Sequence, residues 1–321
     1  MSNDVLVLAE HVGGQISEST YELLGKAKEL AAAWGGKAEV ALFGPAELAS
    51  WLDGADTVVS IDHPALADYT CEGYETALRS VLAERSPRLV LLSNATVGLD
   101  LGAALSVLWD APLAAYVGGL WAHGDSLVAT CQVMGGKIMA EVELTAERAV
   151  CTVLAGAFPA AHGQEASHHH EVVSAAAPEA LETLQTNLAR VIEPEGGDVN
   201  ITDADLLVSV GRGIDSQDNL ELVQELADTL GVPLSASRPI IDSGWLPKTR
   251  QVGKSGLKVK PKAYLAFGIS GAPEHLEGMR DAELIIACNT DENAPIFEVA
   301  HYGTTEDLFD LVPTLVDKIK E

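Results

Sequence analysis

Short apolar runs that alternate with helical segments constrain the fold of this chain more than any other feature of its sequence. Near the N-terminus, the predicted strands are Val5–Ala9, Ala38–Phe43, Thr57–Ile61 and Leu89–Ser93. The helical segments between and after them are Ser19–Trp34, Ala46–Leu52, Tyr74–Arg85 and Asp100–Leu108. Mostly apolar runs of this length are typical of parallel strands that are covered on both faces. The alternation therefore predicts a doubly wound parallel sheet in an N-terminal α/β domain.

The pattern changes after residue 110, where four strand segments follow one another without helices. They are Pro112–Val117, Ser126–Met134, Lys137–Leu144 and Ala149–Leu154, with Gly135-Gly136 as a hairpin turn. We expect them to form an antiparallel extension of the first sheet. The longest apolar stretch, Leu101 to Ala122, is interrupted by Asp110 and Pro112. It is therefore interpreted as a buried helix and a strand, and direct membrane insertion is not expected.

The alternation resumes after Gly197 and predicts a second, smaller domain of Rossmann-like parallel α/β type. Its predicted strands are Asp205–Val210, Pro233–Ala236, Ala263–Phe267 and Leu284–Cys288, and its predicted helices are Asn219–Leu230 and Thr305–Lys320. Thr304 or Thr305 is the expected cap of the last helix. Residues 156–200 have the composition of a connector. The predicted domains are residues 1–190 and 201–321, joined by a linker at residues 191–200.

Composition excludes some functions. A net charge of −27 argues against nucleic-acid binding, for which a basic surface is expected. The four cysteines include no C-x-x-C pair, so a reducing compartment is expected. The first residues carry neither a basic leader nor an Arg-rich amphipathic one, so we expect no signal or transit peptide and a cytoplasmic location. The tandem His168-His169-His170 could bind a metal, but its polar surroundings favour a solvated loop.

Small and polar groups follow every predicted strand of the second domain, where open α/β sheets bind their ligands. They are Gly211-Arg212-Gly213, Ser237-Arg238, Gly268–Gly271 and Asn289-Thr290-Asp291. The turn at Gly268–Gly271 leads into a helix near Pro273, an arrangement that leaves backbone N–H groups free for an anion. Six of the eleven Lys and Arg residues after residue 200 lie between Lys248 and Lys262. Together these groups predict a site for an extended, phosphate-bearing ligand.

Each of these groups also has a purely structural interpretation. Gly211 and Gly213 could only form a tight turn, Arg238 could pair with a carboxylate, and Asn289 could cap a strand end. His275 could be an ordinary helix histidine, and the lysines between residues 248 and 262 could be solvated. Neither a phosphate-binding G-x-x-x-x-G-K-[ST] motif nor a nucleophile–base pair is present in the sequence. The site is therefore predicted to hold a cofactor and not to be a hydrolase centre.

At these positions the sequence resembles the alpha subunit of electron transfer flavoproteins. The similarity runs from Asp205 to Lys320 in matching order and spacing, and it is looser in the N-terminal domain. The matching segments are Gly211-Arg212-Gly213, Leu234–Arg238, Gln251–Gly256, Gly268–His275, Asn289–Asp291 and Ala294–Gly303. Where the family usually has Gly-Gly, Gln-Thr and Gln, this chain has Val210-Gly211, Lys254-Ser255 and Glu274.

The resemblance implies that the second domain binds one FAD and that the N-terminal domain contacts a beta subunit, which would hold AMP or a second FAD. It places Arg212 near the phosphates, Ser237 at the pyrophosphate and Arg238 over the isoalloxazine. It also places the Ser255 hydroxyl near N5 and His275 near the N1/O2 edge. The complete implied set is Arg212, Ser237, Arg238, Val252, Gly253, Lys254, Ser255, Ser270, Gly271, Ala272, Pro273, Glu274 and His275, with Asn289, Asp307 and Leu308 on the adenosine side.

The implied function is that of an electron carrier from soluble flavin dehydrogenases, such as acyl-CoA dehydrogenases, to a membrane quinone oxidoreductase. Within the family, the alternative is the alpha subunit of an electron-bifurcating complex that oxidises NADH. Two alternatives come from other classes: a pyridine-nucleotide enzyme, and a nucleotide-binding sensor without redox function.

Overall fold

The computed structural model describes residues 2–134, 136–190 and 199–321. The chain divides into two compact units, residues 1–191 and residues 192–321. Most of the predicted linker, and Gly135 of the predicted hairpin turn, lie outside the described residues. Within the described part of the chain, none of the helices combines the length and the apolar character needed to cross a bilayer.

The first unit is built mainly from strands and three long helices. Its strands are β1 (Val5–Leu8), β2 (His11–Val12), β3 (Gln15–Ile16), β4 (Ala38–Phe43), β5 (Thr57–Ile61), β6 (Leu89–Ser93), β7 (Leu113–His123), β8 (Ser126–Val133), β9 (Ile138–Leu144), β10 (Ala149–Val153) and β11 (Glu171–Ser174). Its helices are α1 (Glu18–Trp34), α2 (Cys71–Arg85), α3 (Thr96–Leu108) and the short α4 (Ala161–Gln164), with 3₁₀ turns at Ala46–Trp51, Pro64–Leu66 and Glu179–Thr183.

Nine of these strands form one sheet in the order β11-β5-β4-β1-β6-β10-β7-β8-β9. The pairs from β11 to β7 are parallel, whereas β7-β8 and β8-β9 are antiparallel. Along β1, Val5 and Val7 pack with α1 on one face, while Leu6 and Leu8 pack with α2 and α3 on the other. The predicted doubly wound sheet with an antiparallel extension is confirmed.

Several bounds in the first unit differ from the sequence-based prediction, and the predicted helix Ala46–Leu52 is a 3₁₀ turn. Two further differences concern the order of the strands. The fourth strand of the expected antiparallel extension, β10, lies inside the sheet and pairs in parallel with both β6 and β7. All five of its residues are buried, and such a continuous apolar run belongs in the covered interior of a sheet. The expected connector contains β11, which pairs in parallel with β5 at the edge. The partly exposed Val172 of β11 lacks the strong apolar pattern that would have revealed a strand.

The second unit contains a five-stranded parallel sheet in the order β13-β12-β14-β15-β16. The strands are β12 (Leu206–Val210), β13 (Leu234–Ala236), β14 (Ala263–Phe267), β15 (Ile285–Cys288) and β16 (Tyr302–Thr304). The helices are α5 (Leu220–Leu230), α6 (Arg238–Asp242), α7 (Pro273–Leu276) and α8 (Leu308–Lys320), with 3₁₀ turns at Arg212–Ile214, Lys248–Arg250 and Pro295–Glu298. Helices α5 and α8 pack on one face of the sheet, and the predicted Rossmann-like fold is confirmed.

The C-terminal end of this unit corrects the predicted start of the last helix. Helix α8 begins at Leu308, and Asp307 caps it by accepting a hydrogen bond from the Phe309 N–H at 3.0 Å. Residue Thr304, one of the two expected caps, belongs to β16, and its hydroxyl accepts from the Glu306 N–H at 3.2 Å. That local turn ends the strand and delays the helix by three residues.

Candidate functional site

A cavity of about 690 Å³ lies at the carboxyl ends of β12, β13, β14 and β15. Each strand leads directly into residues that line it, because parallel strands all end at the same edge of the sheet. Thirteen of the sixteen predicted site residues line this cavity: Arg212, Ser237, Arg238, Val252, Gly253, Lys254, Ser255, Ser270, Gly271, Ala272, Glu274, His275 and Asn289. Pro273, Asp307 and Leu308 are not part of the lining, so their predicted contacts with FAD stay predictions.

Eight further residues line the cavity. Gly213, Gly268, Ile269 and Asp291 belong to the groups predicted at the strand ends, whereas Pro239, Gln251, Ala294 and Pro295 were not predicted to line it. All except Pro239 belong to the sequence segments that carry the family resemblance. The order of those segments was therefore a signal that could have identified them.

Two glycines that line the cavity let its backbone segments pack closely together. Gly268 has a φ of +62°, and a Cβ there would lie 2.8 Å from Gly213 Cα. Gly271 has a φ of +84°, and a Cβ there would lie 2.2 Å from the Ile296 nitrogen. Both positions combine a backbone conformation that favours glycine with a close approach to another segment. The Gly213 N–H donates to the Gly268 carbonyl at 3.0 Å, which joins the first and third strand ends.

The basic side chains at the cavity are already partly balanced by carboxylates. Arg238 is exposed, and its Nε donates to Asp242 Oδ2 at 3.1 Å, one turn along α6. The Nζ of Lys254 lies 3.6 Å from Glu277 Oε2. Exposed pairs of this kind are worth at most about 1 kcal/mol. They are therefore weak enough to be exchanged for a bound anion.

Several lysines of the predicted basic cluster lie away from the cavity. Lys258 contacts Asp281 at 3.1 Å, and Lys262 contacts Asp205 at 2.9 Å. Neither lysine lines the cavity. For these two, the alternative interpretation as a solvated surface is the one that the structure supports.

Polar side chains that would be costly to bury alone are held by hydrogen bonds around the cavity. Gln251 Nε2 donates to Ser255 Oγ at 2.8 Å, which leaves the Ser255 hydroxyl proton available to the cavity. Asn289 Nδ2 donates to the Ile269 carbonyl at 2.9 Å, and its Oδ1 accepts from the Asp291 N–H at 2.9 Å. Asn289 thus lines the cavity and also joins the ends of β14 and β15.

His275, in α7, is buried against β14. Its Nε2 lies 3.0 Å from the Tyr264 hydroxyl, and its Nδ1 has no hydrogen bond of good geometry among the described residues. Burial lowers the pKa of His275 to about 4, although the nearby Val252 backbone acts in the upward direction. The ring is therefore neutral at pH 7.

One histidine of the tandem contacts the backbone of the first unit. Among the described residues, no group of three His, Cys, Asp or Glu side chains could hold a metal ion. His170 Nδ1 instead lies 3.1 Å from the Ala55 carbonyl. This arrangement agrees with a structural loop.

The lining fits a phosphate-bearing heteroaromatic cofactor. The cations Arg212, Arg238 and Lys254 line the cavity together with the backbone of Gly268 and Gly271. The His275 Nδ1 atom, which has no partner among the described residues, and the Ser255 hydroxyl, which accepts from Gln251, add two hydrogen-bonding groups. Few convergent polar groups in a largely apolar pocket are typical of a cofactor site.

Comparison with known proteins gives matches along most of the chain. The family model described as "Electron transfer flavoprotein domain" matches residues 5–180, and the one described as "Electron transfer flavoprotein FAD-binding domain" matches residues 200–280. The "Electron transfer flavoprotein subunit alpha" of Thermoanaerobacterium thermosaccharolyticum is 34% identical over 99% of this chain and 98% of that protein.

Two similar relatives carry other names. The "Acryloyl-CoA reductase electron transfer subunit beta" of Anaerotignum propionicum is 36% identical over 99% of this chain and 96% of that protein. The "Lactate dehydrogenase (NAD(+),ferredoxin) subunit LctC" of Acetobacterium woodii is 33% identical over 98% of this chain and 77% of that protein.

Proposed function

This chain belongs to the electron transfer flavoprotein family as an alpha subunit, and on that premise we propose that it binds one FAD in the cavity of its second unit. It would carry electrons between protein partners and would transform no substrate of its own. The cavity at the carboxyl ends of β12–β15 is the observation that supports this proposal most strongly. A bound FAD supplies the redox chemistry that side chains lack, accepting and releasing electrons singly or in pairs.

Different residues of this chain would bind different parts of the cofactor. Arg212 and the backbone N–H groups of residues 269–271 suit the negatively charged phosphates, while the Gly268 N–H donates to the Cys288 carbonyl. Ser255, oriented by Gln251, offers a hydrogen-bond donor to the ring system. Arg238 can leave Asp242 and place its planar guanidinium against an aromatic ring. These roles agree with those implied by the family resemblance.

The partners follow from the family. We propose a heterodimer with a beta subunit that contacts the first unit and holds AMP or a second FAD. Acyl-CoA dehydrogenases or other soluble flavin dehydrogenases would supply the electrons, and a quinone oxidoreductase at the membrane would receive them. The cytoplasm of a prokaryote is the proposed compartment.

A second candidate is supported by the names of the relatives. One belongs to a lactate dehydrogenase named for NAD(+) and ferredoxin, and another to an acryloyl-CoA reductase. A complex that oxidises NADH and divides the electrons between two acceptors is therefore the alternative proposal. It requires a second flavin in the beta subunit.

Co-expression with the beta subunit, followed by flavin counting and titration with NADH, separates these functions. One FAD per heterodimer without reduction by NADH supports the simple carrier. Two FAD molecules with reduction by NADH support the bifurcating complex. A folded heterodimer without flavin would contradict both and favour a nucleotide-binding sensor.

Arg212→Ala tests whether the cavity holds the cofactor. We expect at least a tenfold loss of FAD affinity, since one phosphate-pairing cation is removed and a charged hydrogen bond is worth about 1.5–3 kcal/mol. Lys262→Ala is the matched control, because it removes a cation of the same unit that pairs with Asp205 outside the cavity. Equal flavin content in both variants and the parent would place the cofactor elsewhere.

A further inference from the structure

Buried polar side chains lie on one face of the second sheet, and some of them also line the cavity. Among the described residues of the second unit, the buried polar side chains are Ser209, Ser235, Ser237, Gln251 and His275. The fully buried Tyr264 joins two of them, with its hydroxyl 2.6 Å from Ser209 Oγ and 3.0 Å from His275 Nε2. Since buried polar groups cost stability unless they are paired, a connected group of this kind specifies definite hydrogen-bond directions.

The protons of this connected group can be assigned one by one. Tyr264 has a single hydroxyl proton, and the geometry directs it to Ser209 Oγ. The Tyr264 oxygen therefore presents only lone pairs to His275. Two lone pairs facing each other at 3.0 Å would repel, so Nε2 has to carry a proton and donate it to Tyr264. In a neutral imidazole the other nitrogen, Nδ1, is then unprotonated.

We propose that Tyr264 is a positioning residue: by accepting a hydrogen bond from Nε2, it fixes His275 as the Nε2–H tautomer and leaves Nδ1 as the nitrogen that takes up a proton. Nδ1 is buried and has no hydrogen bond of good geometry among the described residues. The proton that it takes up comes from water. The neutral ring becomes an imidazolium, and no bond other than the new N–H is made.

In this arrangement, the protonation of His275 depends on the charge of the group that occupies the cavity. The Val252 backbone stabilises the charged ring, whereas burial opposes it. A negative charge placed in the cavity would shift this balance towards protonation. This change in protonation rests on the proposed function, because it assumes that an anionic cofactor occupies the cavity.

Histidine-selective ¹⁵N labelling of the full chain, as it is purified, tests the assignment. A protonated and an unprotonated ring nitrogen have well separated ¹⁵N shifts, and His275→Gln identifies the His275 signals among those of the nine histidines. We expect the parent chain to show Nε2 protonated and Nδ1 unprotonated. We expect Tyr264→Phe to lose this preference, because phenylalanine offers no acceptor.

The control is Tyr74→Phe, which removes another buried tyrosine hydroxyl, 3.4 Å from His11 Nε2 in the first unit. It should leave the His275 signals unchanged. An Nδ1–H tautomer in the parent chain, or an unchanged tautomer in folded Tyr264→Phe, would overturn the proposal.

A double variant, Ser209→Ala with Ser235→Ala, keeps the proposal testable if Tyr264→Phe does not fold. The Tyr264 hydroxyl hydrogen-bonds with the Ser209 and Ser235 side chains, and the double variant removes both of these hydroxyls. The Tyr264 proton can then turn towards Nε2. The tautomer should then invert to Nδ1–H, and an unchanged Nε2–H form would count against the role of Tyr264. A folded heterodimer with the beta subunit that carries no flavin, but whose His275 is still Nε2–H, would contradict the proposed function while supporting this assignment.

Discussion

Gly268 and Gly231 have nearly the same backbone conformation but different surroundings. Comparing them separates the cost of a left-handed conformation from the cost of a steric clash with an added Cβ. Their φ angles are +62° and +68°. A Cβ on Gly268 would lie 2.8 Å from Gly213 Cα, whereas nothing lies within 4 Å of a Cβ on Gly231. Replacement by alanine should cost about 1–2 kcal/mol at either position through the left-handed conformation alone. At Gly268 the displaced Gly213 backbone adds to that cost.

We therefore predict that Gly268→Ala loses flavin and lowers the free energy of unfolding more than Gly231→Ala does. Urea unfolding of the second unit and the ratio of bound flavin to protein measure the two effects. Gly231→Ala should keep its flavin, because its Cβ meets no atom. Equal losses in both variants would show that conformation alone, and not the approach of two strand ends, makes glycine necessary at residue 268.

At the residue scale, the sequence predicted the lining of the cavity better than the buried hydrogen bonds of Tyr264. Arg212, Ser237 and Asn289 follow strand ends directly, so a general rule for α/β sheets placed them together. Ser209 and Tyr264 lie inside strands, where a single polar residue between apolar ones looks like ordinary alternation. Their pairing depends on which strands are neighbours, and on the position of α7. Neither is readable from local spacing.

At the scale of elements, the start of α8 provides a test of a cap that lies next to the site. Asp307 accepts a hydrogen bond from the Phe309 N–H and does not line the cavity. Asp307→Ala should lower the free energy of unfolding by about 1 kcal/mol, the usual value of such a cap. Asp317→Ala, on the same helix but near its C-terminal end, should change it by less than about 0.5 kcal/mol.

The same pair of variants distinguishes capping from cofactor contact. A reduced stability with unchanged FAD affinity in Asp307→Ala would assign the residue to the helix alone. If the affinity also fell severalfold, the contact with the adenosine side that the family resemblance implies would be supported. Stability equal to that of the parent chain would contradict the capping role. Fluorescence-monitored urea unfolding and a flavin-binding titration provide both values.

The sequence predicted the bounds of several strands but not the order of all strands in the sheet. Strands β4, β5 and β6 were predicted with their observed bounds, because each is a separate apolar run between polar turns. The order of β10 within the sheet was not predictable from the same pattern. The sequence of a short strand does not show whether its neighbours are parallel or antiparallel to it. Here β7, β8 and β9 form a meander at one side of the sheet, and the chain then returns to place β10 between β6 and β7.

At the scale of the whole molecule, each compact unit has its own hydrophobic cores, and the residues that line the cavity all belong to the second unit. Tyr264 packs in one core of this unit, while α5 and α8 cover the other. A domain of this size with a closed core can fold alone. We therefore propose that residues 199–321 fold independently and retain the cofactor site.

A fragment of residues 199–321 should unfold in one cooperative transition and bind FAD, because it lacks none of the lining residues. The matched fragment of residues 2–190 should also fold, since α1, α2 and α3 cover both faces of its sheet, but it should bind no flavin. Near-ultraviolet circular dichroism reports fixed packing in each fragment, and fluorescence titration reports binding. A disordered C-terminal fragment would contradict the independence of the second unit. A folded fragment without affinity for FAD would show instead that the site is completed by residues outside it, for which the beta subunit and the first unit are the remaining sources.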